Sequence, residues 1–371
     1  MKITRLETFF VRPRWLFLKV HTDEGLCGWG EPIVEGWSRT TAAAVQEMGR
    51  YLIGQDPRRI EHHWQALYRG AFYRGGPVLT SALSGIEQAL WDLTGKWLNA
   101  PVHQLLGGAV RDRIRVYGHL DGETWGDYVE SGRRNLRKGF TALKTTPFNA
   151  VRFMESPKFV DEVVNRVAAL REAVGPALDL ALDFHGRVSP AMAVRLCRAL
   201  EPFHLFFVEE PCLPENVDAL AEIARKTSIP IAAGERLFTR WGFREVLEKR
   251  AAAILQPDVS HCGGIFELRK IAALAETGYA AVAPHCPLGP IALAASLQAD
   301  ACTPNFLCQE QVCLGEGYLK QPFVLQAGHL AVPTGPGLGI EVDEAALAGK
   351  LYDGGWENPR FRHDDGAVAD W

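Results

Sequence analysis

The chain has 371 residues, more than a single hydrophobic core usually supports, so two domains are expected. Its net charge of −4 and its 47% hydrophobic content are ordinary for a soluble protein, and they argue against nucleic acid or a membrane surface as partner. Because the sequence shows no membrane-length apolar run and no signal-peptide core, we expect a cytoplasmic protein whose eight cysteines are reduced.

The first part of the chain, residues 1–114, predicts an α+β domain. KITRLETFFV, WLFLKVHT and LCGWGEP predict an antiparallel meander with a tight turn at Gly25. Apolar positions at helical spacing predict helices over 40–53 and 57–70. SALSGIEQALWDLTGKWL predicts an amphipathic helix that ends at Asn99.

The middle of the chain, residues 115–318, repeats one pattern. Eight strand-like runs, each followed by a helical stretch, recur at steps of about 25 residues, the length that a βα unit needs. The pattern predicts a (β/α)8 barrel of the TIM type. The remainder, 319–371, contains the Gly/Pro-rich run PTGPGLG and loses the period. We expect it to pack back on the N-terminal domain, so that both ends of the chain build one capping unit.

Three carboxylates follow consecutive predicted strands of this barrel. Asp183, Glu209 and Glu235 are spaced 26 residues apart, and each closes an apolar run. Parallel strands bring their carboxyl ends to one face, where barrels of this kind keep their chemistry. Three carboxylates cannot share that face as anions without a cation, so a hard divalent ion, Mg²⁺, is predicted. The alternative, that acidic residues here only cap helices, accounts for one or two such positions.

Two histidines lie at the same predicted face. His285 and Asp258 end neighbouring strands, and a carboxylate bonded to one ring nitrogen would make the other nitrogen a better base. His185 lies two residues after Asp183, so in an extended strand both would face the same side. This predicts a general acid or base beside the metal, with a second metal ligand or a structural histidine as the alternatives.

Two more charged residues end strands. Glu310 closes the last strand, and we expect a partly protonated carboxyl that donates a hydrogen bond to a developing enediolate. A fourth metal ligand or a salt-bridge partner is the alternative. Lys144 ends the second strand, with apolar residues before it and polar ones after it, so we expect it in the pocket near the substrate carboxylate; a surface lysine, the more common case, is the alternative.

Together these residues predict one type of reaction. A metal ion binds a substrate carboxylate as a Lewis acid, and one histidine removes the proton α to that carboxylate. The metal ion would then stabilise the enediolate that forms. The second histidine could protonate a leaving hydroxyl on the neighbouring carbon.

The motifs that carry these residues resemble those of the enolase superfamily, mandelate racemase subgroup. They are LDFHGRVS, EEPCLPEN, AAGERLFTR, ILQPDVSHCGGI, APHCPLGPIALAA and QEQ, with GWGEP, FYRGGP and RHDDGAVADW nearer the ends. The resemblance covers essentially the whole chain. It implies a barrel with a capping domain, a small sugar acid as substrate, and a homo-oligomer such as an octamer.

The resemblance also implies roles for the individual residues. Asp183, Glu209 and Glu235 would bind Mg²⁺, while His285 would be the base and His185 the acid. Asp258 would tune His285, and Glu310 would stabilise the enediolate. From the family's architecture, loops of the capping domain near Trp15 and Tyr73 would close over the substrate.

One motif departs from the subgroup. Members often carry Lys-x-Lys at the second strand, but this chain has Lys144 followed by Thr145 and Thr146. A racemase needs a base on each face of the α-carbon, so the missing lysine favours dehydration of a sugar acid. A racemase or cycloisomerase on the same scaffold is the alternative, and a non-catalytic metal-binding barrel used in assembly is a third.

Overall fold

The computed structural model describes residues 1–371, and its N-terminal part begins with a three-stranded antiparallel sheet. The strands are β1 (Ile3–Val11), β2 (Trp15–Thr22) and β3 (Cys27–Gly30), in that order across the sheet. The turn between β2 and β3 is closed by the Thr22 amide, which donates to the Leu26 carbonyl. The predicted antiparallel meander is confirmed.

Four helices follow this sheet: α1 (Ser38–Leu52), α2 (Ile60–Arg69), α3 (Pro77–Leu98) and the short α4 (Val102–Leu105). The longest, α3, ends at Asn99, which adopts the left-handed conformation at φ 50°. A Cβ atom at Gly30 would lie 1.9 Å from the Gly85 carbonyl oxygen. Glycine at that position therefore allows β3 to lie directly against α3.

The central part contains eight parallel strands that alternate with helices. The strands are β4 (Arg113–His119), β5 (Ala142–Thr145), β6 (Asp179–Asp183), β7 (Val208–Glu209), β8 (Ile231–Ala233), β9 (Ile254–Leu255), β10 (Ala281–Val282) and β11 (Gln309–Glu310). They form one sheet in the order β10-β9-β8-β7-β6-β5-β4-β11. The two outer strands are also linked, because Val282 of β10 forms an isolated parallel bridge with Phe306 ahead of β11.

The helices between these strands pack against the sheet. They are α5 (Trp125–Arg137), α6 (Pro157–Val174), α7 (Pro190–Leu200), α8 (Val217–Arg225), α9 (Thr239–Glu248), α10 (Ile265–Thr277) and α11 (Pro290–Ala301), with a 3₁₀ turn at Glu201–Phe203. One buried apolar cluster of 66 residues includes side chains from both the strands and these helices. A separate cluster of eight buried side chains takes one residue from, or next to, each strand: Tyr117, Ala142, Ala181, Phe207, Ala232, Ile254, Ala283 and Cys308.

The last part of the chain runs back to the N-terminal sheet. It contains β12 (His329–Ala331), which pairs antiparallel with β4, and α12 (Glu344–Ala348). Beyond α12, the Arg12 amide donates to the Lys350 carbonyl at 2.8 Å, and the Tyr352 amide donates to the Phe10 carbonyl at 3.1 Å. The segment after α12 therefore lies along β1.

A buried carboxyl group joins the N-terminal part to the N-terminal end of α11. The Glu31 side chain accepts hydrogen bonds from the Gly289 amide at 2.7 Å and the Ala292 amide at 2.9 Å. Burial raises the pKa of Glu31 to about 8, against the lowering effect of these two amides. No helix in residues 1–371 combines the length and apolar character that a membrane crossing requires.

Candidate active site

A cavity of about 490 Å³ lies beyond the carboxyl ends of the parallel strands. Six residues predicted from strand ends line it: Lys144, Asp183, His185, Glu235, His285 and Glu310. Glu209 and Asp258 are fully buried directly behind them, and contact Lys144 and His285 respectively. All eight side chains therefore lie together at this face, seven of them as the strand-end rule predicts.

The three predicted metal ligands are close neighbours at this face. Asp183 and Glu209 are paired in register on β6 and β7. Burial and the nearby Asp183 carboxylate raise the pKa of Glu209 to about 8, although Lys144 opposes the shift. One oxygen of Glu209, Oε1, is buried without any hydrogen-bond partner. A buried carboxylate oxygen with no donor is suited to a cation.

The carboxylates are nevertheless not arranged as a finished ligand cluster. No group of three or more His, Cys, Asp or Glu side chains in residues 1–371 has the geometry to hold a metal ion as it stands. Two basic side chains, those of Lys144 and His285, contact the carboxylate oxygens instead. Lys144 Nζ lies 2.7 Å from Glu209 Oε2 and 3.4 Å from Asp183 Oδ2, and His285 Nε2 lies 2.7 Å from Glu235 Oε2. The donor types fit a hard divalent ion, but the side chains would have to reorient.

The predicted His–Asp pair is present. His285 Nδ1 donates to Asp258 Oδ2 at 2.7 Å, and Asp258 Oδ1 accepts the Ser260 amide at 2.7 Å. Burial disfavours the imidazolium, but Glu235, Glu310 and the bond to Asp258 outweigh it and raise the pKa of His285 well above its usual range. The Asp258 bond leaves Nε2 as the nitrogen that faces the cavity.

His185 reaches the same cavity for a different reason from the one predicted. Strand β6 ends at Asp183, and His185 has a left-handed backbone with φ 49°, so strand alternation does not aim its ring. Instead the His185 amide donates to Asp183 Oδ1 at 2.9 Å, which folds the chain back. Its ring lies between Asp183 and Thr146, with Nε2 3.2 Å from Asp183 Oδ2 and Nδ1 3.3 Å from Thr146 Oγ1. Burial lowers the pKa of His185.

The structure contradicts the expected protonation of Glu310. Its carboxylate lies 2.9 Å from Lys144 Nζ and 2.7 Å from His119 Nε2, and it accepts the Cys286 amide at 2.9 Å. Burial raises its pKa, but Lys144 and His285 act more strongly in the other direction and hold the pKa of Glu310 well below its usual range. These contacts favour the ionised form of Glu310, which accepts hydrogen bonds, over the protonated form that was expected.

Lys144 is a buried residue, not a surface lysine. Its side chain is 3% exposed, and the surrounding carboxylates raise its pKa well above the usual value despite the cost of burial. All of its close charged contacts are to protein carboxylates: Glu209, Glu310 and Asp183. A substrate carboxylate would have to compete with these for the ammonium group.

Neither aromatic residue predicted to contact substrate lies in the cavity wall. Trp15 is 3% exposed and packs in the core between Phe17 and Tyr318, because the first residue of β2 directs its side chain inward. Tyr73 is 84% exposed and lies beside a separate surface groove. These two expectations are wrong in placement. The neighbouring Arg14 lines the cavity instead, held by a 3.2 Å bond to the Pro287 carbonyl.

Sequence reasoning missed several residues that line the cavity. Besides Arg14, they include Glu35, His119, Thr146, His261, Asn358 and Trp371. His119 ends β4, so the strand-end rule could have found it. His261 lies three residues after Asp258 and bonds through Nδ1 to Ser81 of α3 at 2.9 Å. Trp371 ends the motif RHDDGAVADW, but nothing in that motif places it at the cavity, because only the path of the final segment brings it there.

Comparisons with known proteins agree with this architecture. Residues 8–107 match the mandelate racemase / muconate lactonizing enzyme N-terminal domain, and residues 127–346 match the enolase C-terminal domain-like family. The D-galactonate dehydratases of Ralstonia nicotianae and Variovorax paradoxus are each 50% identical to this chain, with 100% of both chains covered.

Two solved structures are similar in fold to this chain over most or all of its length. An enolase from Agrobacterium radiobacter, with bound sodium and L-malate, has a TM-score of 0.93 at 32% identity and covers 100% of both chains. An enolase superfamily member from Salmonella Typhimurium has a TM-score of 0.88 at 29% identity, with 94% of this chain and 97% of that chain covered. The chain thus belongs to the mandelate racemase / muconate lactonizing enzyme family of the enolase superfamily.

Proposed function

We propose that this protein is a hydro-lyase that converts D-galactonate to 2-dehydro-3-deoxy-D-galactonate and water. The observation that carries the proposal is a cavity with two histidines of different environment, in a chain that is 50% identical along its full length to enzymes named D-galactonate dehydratase. Loss of water from such an acid requires a base for the proton on C2 and an acid for the hydroxyl on C3.

We infer that the eight parallel strands close into a barrel. The bridge between Val282 and Phe306 links the two outer strands, and the interior cluster draws on all eight strands. In a closed eight-stranded barrel, strands four places apart face each other across the axis. Strands β6 and β10 are four places apart in the sheet order, so His185 and His285 would approach a bound substrate from different sides.

In this proposal His285 takes the proton from C2 of the substrate. Asp258 holds the proton of His285 on Nδ1 and supports positive charge on the ring. In this structure Glu235 Oε2 lies 2.7 Å from His285 Nε2 and favours the protonated form of the His285 ring. A ligand that engages the Glu235 carboxylate would free Nε2 to act as the base.

Asp183, Glu209 and Glu235 would hold a divalent cation, Mg²⁺ being the ion that suits three carboxylate ligands. The unpartnered Oε1 of Glu209 supports this assignment. A cation bound there would supply Lewis-acid stabilisation of the negative charge that develops on the substrate carboxylate. Lys144, already paired with two of these carboxylates, would provide further positive charge at that edge of the cavity.

His185 then gives a proton to the hydroxyl that leaves C3. The C2–H and C3–O bonds are broken, water departs, and the enol product tautomerises to the 2-keto acid. The state of Lys144 disfavours the racemase alternative. Its ammonium is buried among carboxylates that raise its pKa and hold it protonated, so it cannot accept a proton from the substrate, and Thr146 occupies the position of the second lysine.

The proposal is tested with purified protein, Mg²⁺ and a panel of aldonates that includes D-galactonate and its epimers. We expect a 2-keto-3-deoxy product from D-galactonate, no product after chelation, and recovery on adding Mg²⁺. Glu235→Gln should lose this recovery, whereas Glu248→Gln, an exposed carboxylate on α9, should keep it. Exchange of the C2 proton with solvent without loss of water would favour a racemase, and the absence of any product would overturn the proposal.

A cytoplasmic location and a homo-oligomeric assembly belong to the same proposal. Static light scattering of the purified protein measures the assembly directly. A mass equal to that of one chain at micromolar concentration would contradict the homo-oligomeric assembly.

A further inference from the structure

The end of the described chain folds into a small hairpin. Arg362 and Val368 form an antiparallel bridge, and the Ala369 amide donates to the Phe361 carbonyl at 3.1 Å. The hairpin brings Trp371 into the wall of the cavity, where its ring centroid lies 5.3 Å from that of His185. An aromatic residue from the last segment therefore packs against one of the two histidines.

A buried arginine from the DFHGR motif holds this hairpin. Arg187 is 8% exposed, and its Cζ lies 4.8 Å from the ring centroid of Phe361 and 5.9 Å from that of Trp371. Its Nη1 donates to the Phe148 carbonyl at 2.9 Å, but its Nε is buried without a partner. Arg187 makes no ion pair in residues 1–371, so its charge is offset by backbone and aromatic contacts.

The ring of His185 depends on few other contacts. Its polar neighbours are Asp183 and Thr146, and its side chain remains 21% exposed. His285, by contrast, is enclosed by three carboxylates and is 12% exposed. Trp371 covers the ring of His185 on a side where no other aromatic side chain packs. Its indole can limit both the rotation of that ring and the access of water to it.

We propose that Trp371 is a positioning residue for His185, and that the hairpin at 361–369 with Arg187 is the device that sets it in place. The final segment then determines how well the proton donor is aligned with the leaving hydroxyl. This inference rests on the proposed function in one respect, the role of His185 as the donor. A loosely held donor would slow the loss of hydroxide, which needs a proton, more than the loss of a better leaving group.

The first test compares three variants on two substrates. Trp371→Ala removes the indole and Trp371→Phe keeps an aromatic ring. Trp97→Ala is the matched control, because Trp97 is also 44% exposed and also lies against an arginine, Arg58, but outside the cavity. The substrates are D-galactonate and its 3-deoxy-3-fluoro analogue, and circular dichroism confirms that each variant is folded.

For Trp371→Ala we expect kcat on D-galactonate to fall about 10- to 100-fold, with a several-fold smaller loss on the fluoro analogue. Trp371→Phe should lie between this variant and the wild type, and Trp97→Ala should match the wild type. Equal losses on both substrates, or a change in KM alone, would overturn the positioning role and leave only a binding contact.

A second measurement does not depend on turnover. Diethyl pyrocarbonate acylates accessible imidazoles, and peptide mass spectrometry reports the rate at His185. Trp371→Ala should increase that rate several-fold, while Trp97→Ala should leave it unchanged. If the wild type fails to dehydrate D-galactonate but Trp371→Ala still exposes His185, the proposed function fails and the contact survives. If the rate at His185 is unchanged in Trp371→Ala, the inference is wrong whatever the substrate.

Discussion

The two histidines of the cavity have opposite surroundings. His285 is enclosed by Asp258, Glu235 and Glu310, which raise its pKa well above the usual value despite its burial. His185 is covered by Trp371 and contacts one carboxylate, Asp183, and burial lowers its pKa. To act as the base, His285 must release its Nε2 from Glu235, and to act as the acid, His185 must first hold a proton. The same residue type thus meets two different electrostatic environments in one cavity.

The largest expected effect comes from removing either ring. His285→Asn and His185→Asn should each lower kcat/KM on D-galactonate by roughly 10²–10⁴-fold, because each removes one partner of general acid–base catalysis. Steady-state assays of the 2-keto product measure the loss. His204→Asn is the control, since His204 is an exposed residue whose left-handed backbone, φ 48°, suits asparagine. A loss under tenfold at either cavity histidine would contradict its role in general acid–base catalysis.

A smaller loss is expected when only the support of His285 is changed. Asp258→Asn keeps an oxygen for one hydrogen bond but removes the charge behind the ring, so activity should fall about 10- to 100-fold. The kcat/KM of the purified variant measures this loss. Asp218→Asn is the control, because Asp218 is exposed and forms an ion pair with Lys249 on the surface. Activity within twofold of the wild type would mean that the Asp258 contact does not tune the base.

Arg14 and Trp15 are neighbours where β2 begins, but Arg14 lines the cavity and Trp15 is buried in the core. Arg14→Ala should raise KM for D-galactonate by about tenfold, as expected for losing one charge-assisted hydrogen bond, and should change the ratio of rates on its epimers. Trp15→Ala should instead lower the free energy of unfolding by about 3–5 kcal/mol and leave that ratio unchanged. Thermal melts and epimer assays of both variants measure the two effects. If Trp15→Ala alone altered the ratio of rates on the epimers, Trp15 and not Arg14 would be the residue that contacts the substrate.

The smallest effect is expected at Tyr73. Its side chain is 84% exposed and lies away from the cavity, so Tyr73→Ala should change the free energy of unfolding by under about 0.5 kcal/mol. Its kcat/KM on D-galactonate should equal that of the wild type. A reduced kcat/KM with normal stability would show that the loop at Tyr73 does reach the substrate.

The residues that sequence could predict are those whose position follows from strand order. Asp183, Glu209, Glu235, Asp258 and His285 each end or closely follow a buried strand, and parallel strands must bring such residues to one face. That regularity is sufficient to place the His285–Asp258 pair. It is also enough for the position of Glu310, but not for its protonation, which depends on the distances to Lys144 and His119.

The residues that sequence could not predict depend on long-range packing. Arg14 and Trp15 are neighbours, and only the way β2 packs decides which of them faces the cavity. Trp371 lies 186 positions after His185, and no periodic pattern links them. The prediction of His185 rests on strand alternation, which does not hold, because the strand ends before it and a left-handed residue turns the ring.

The most direct test of the central claim, that His285 is the base and His185 the acid, uses the 3-deoxy-3-fluoro analogue of D-galactonate. Fluoride leaves with little help from a proton donor, so the analogue still needs the base but hardly needs the acid. We predict that His185→Asn recovers a rate within about tenfold of the wild type on this analogue, whereas His285→Asn keeps its loss of roughly 10²–10⁴-fold. Recovery of His285→Asn in place of His185→Asn would show that the two roles are reversed.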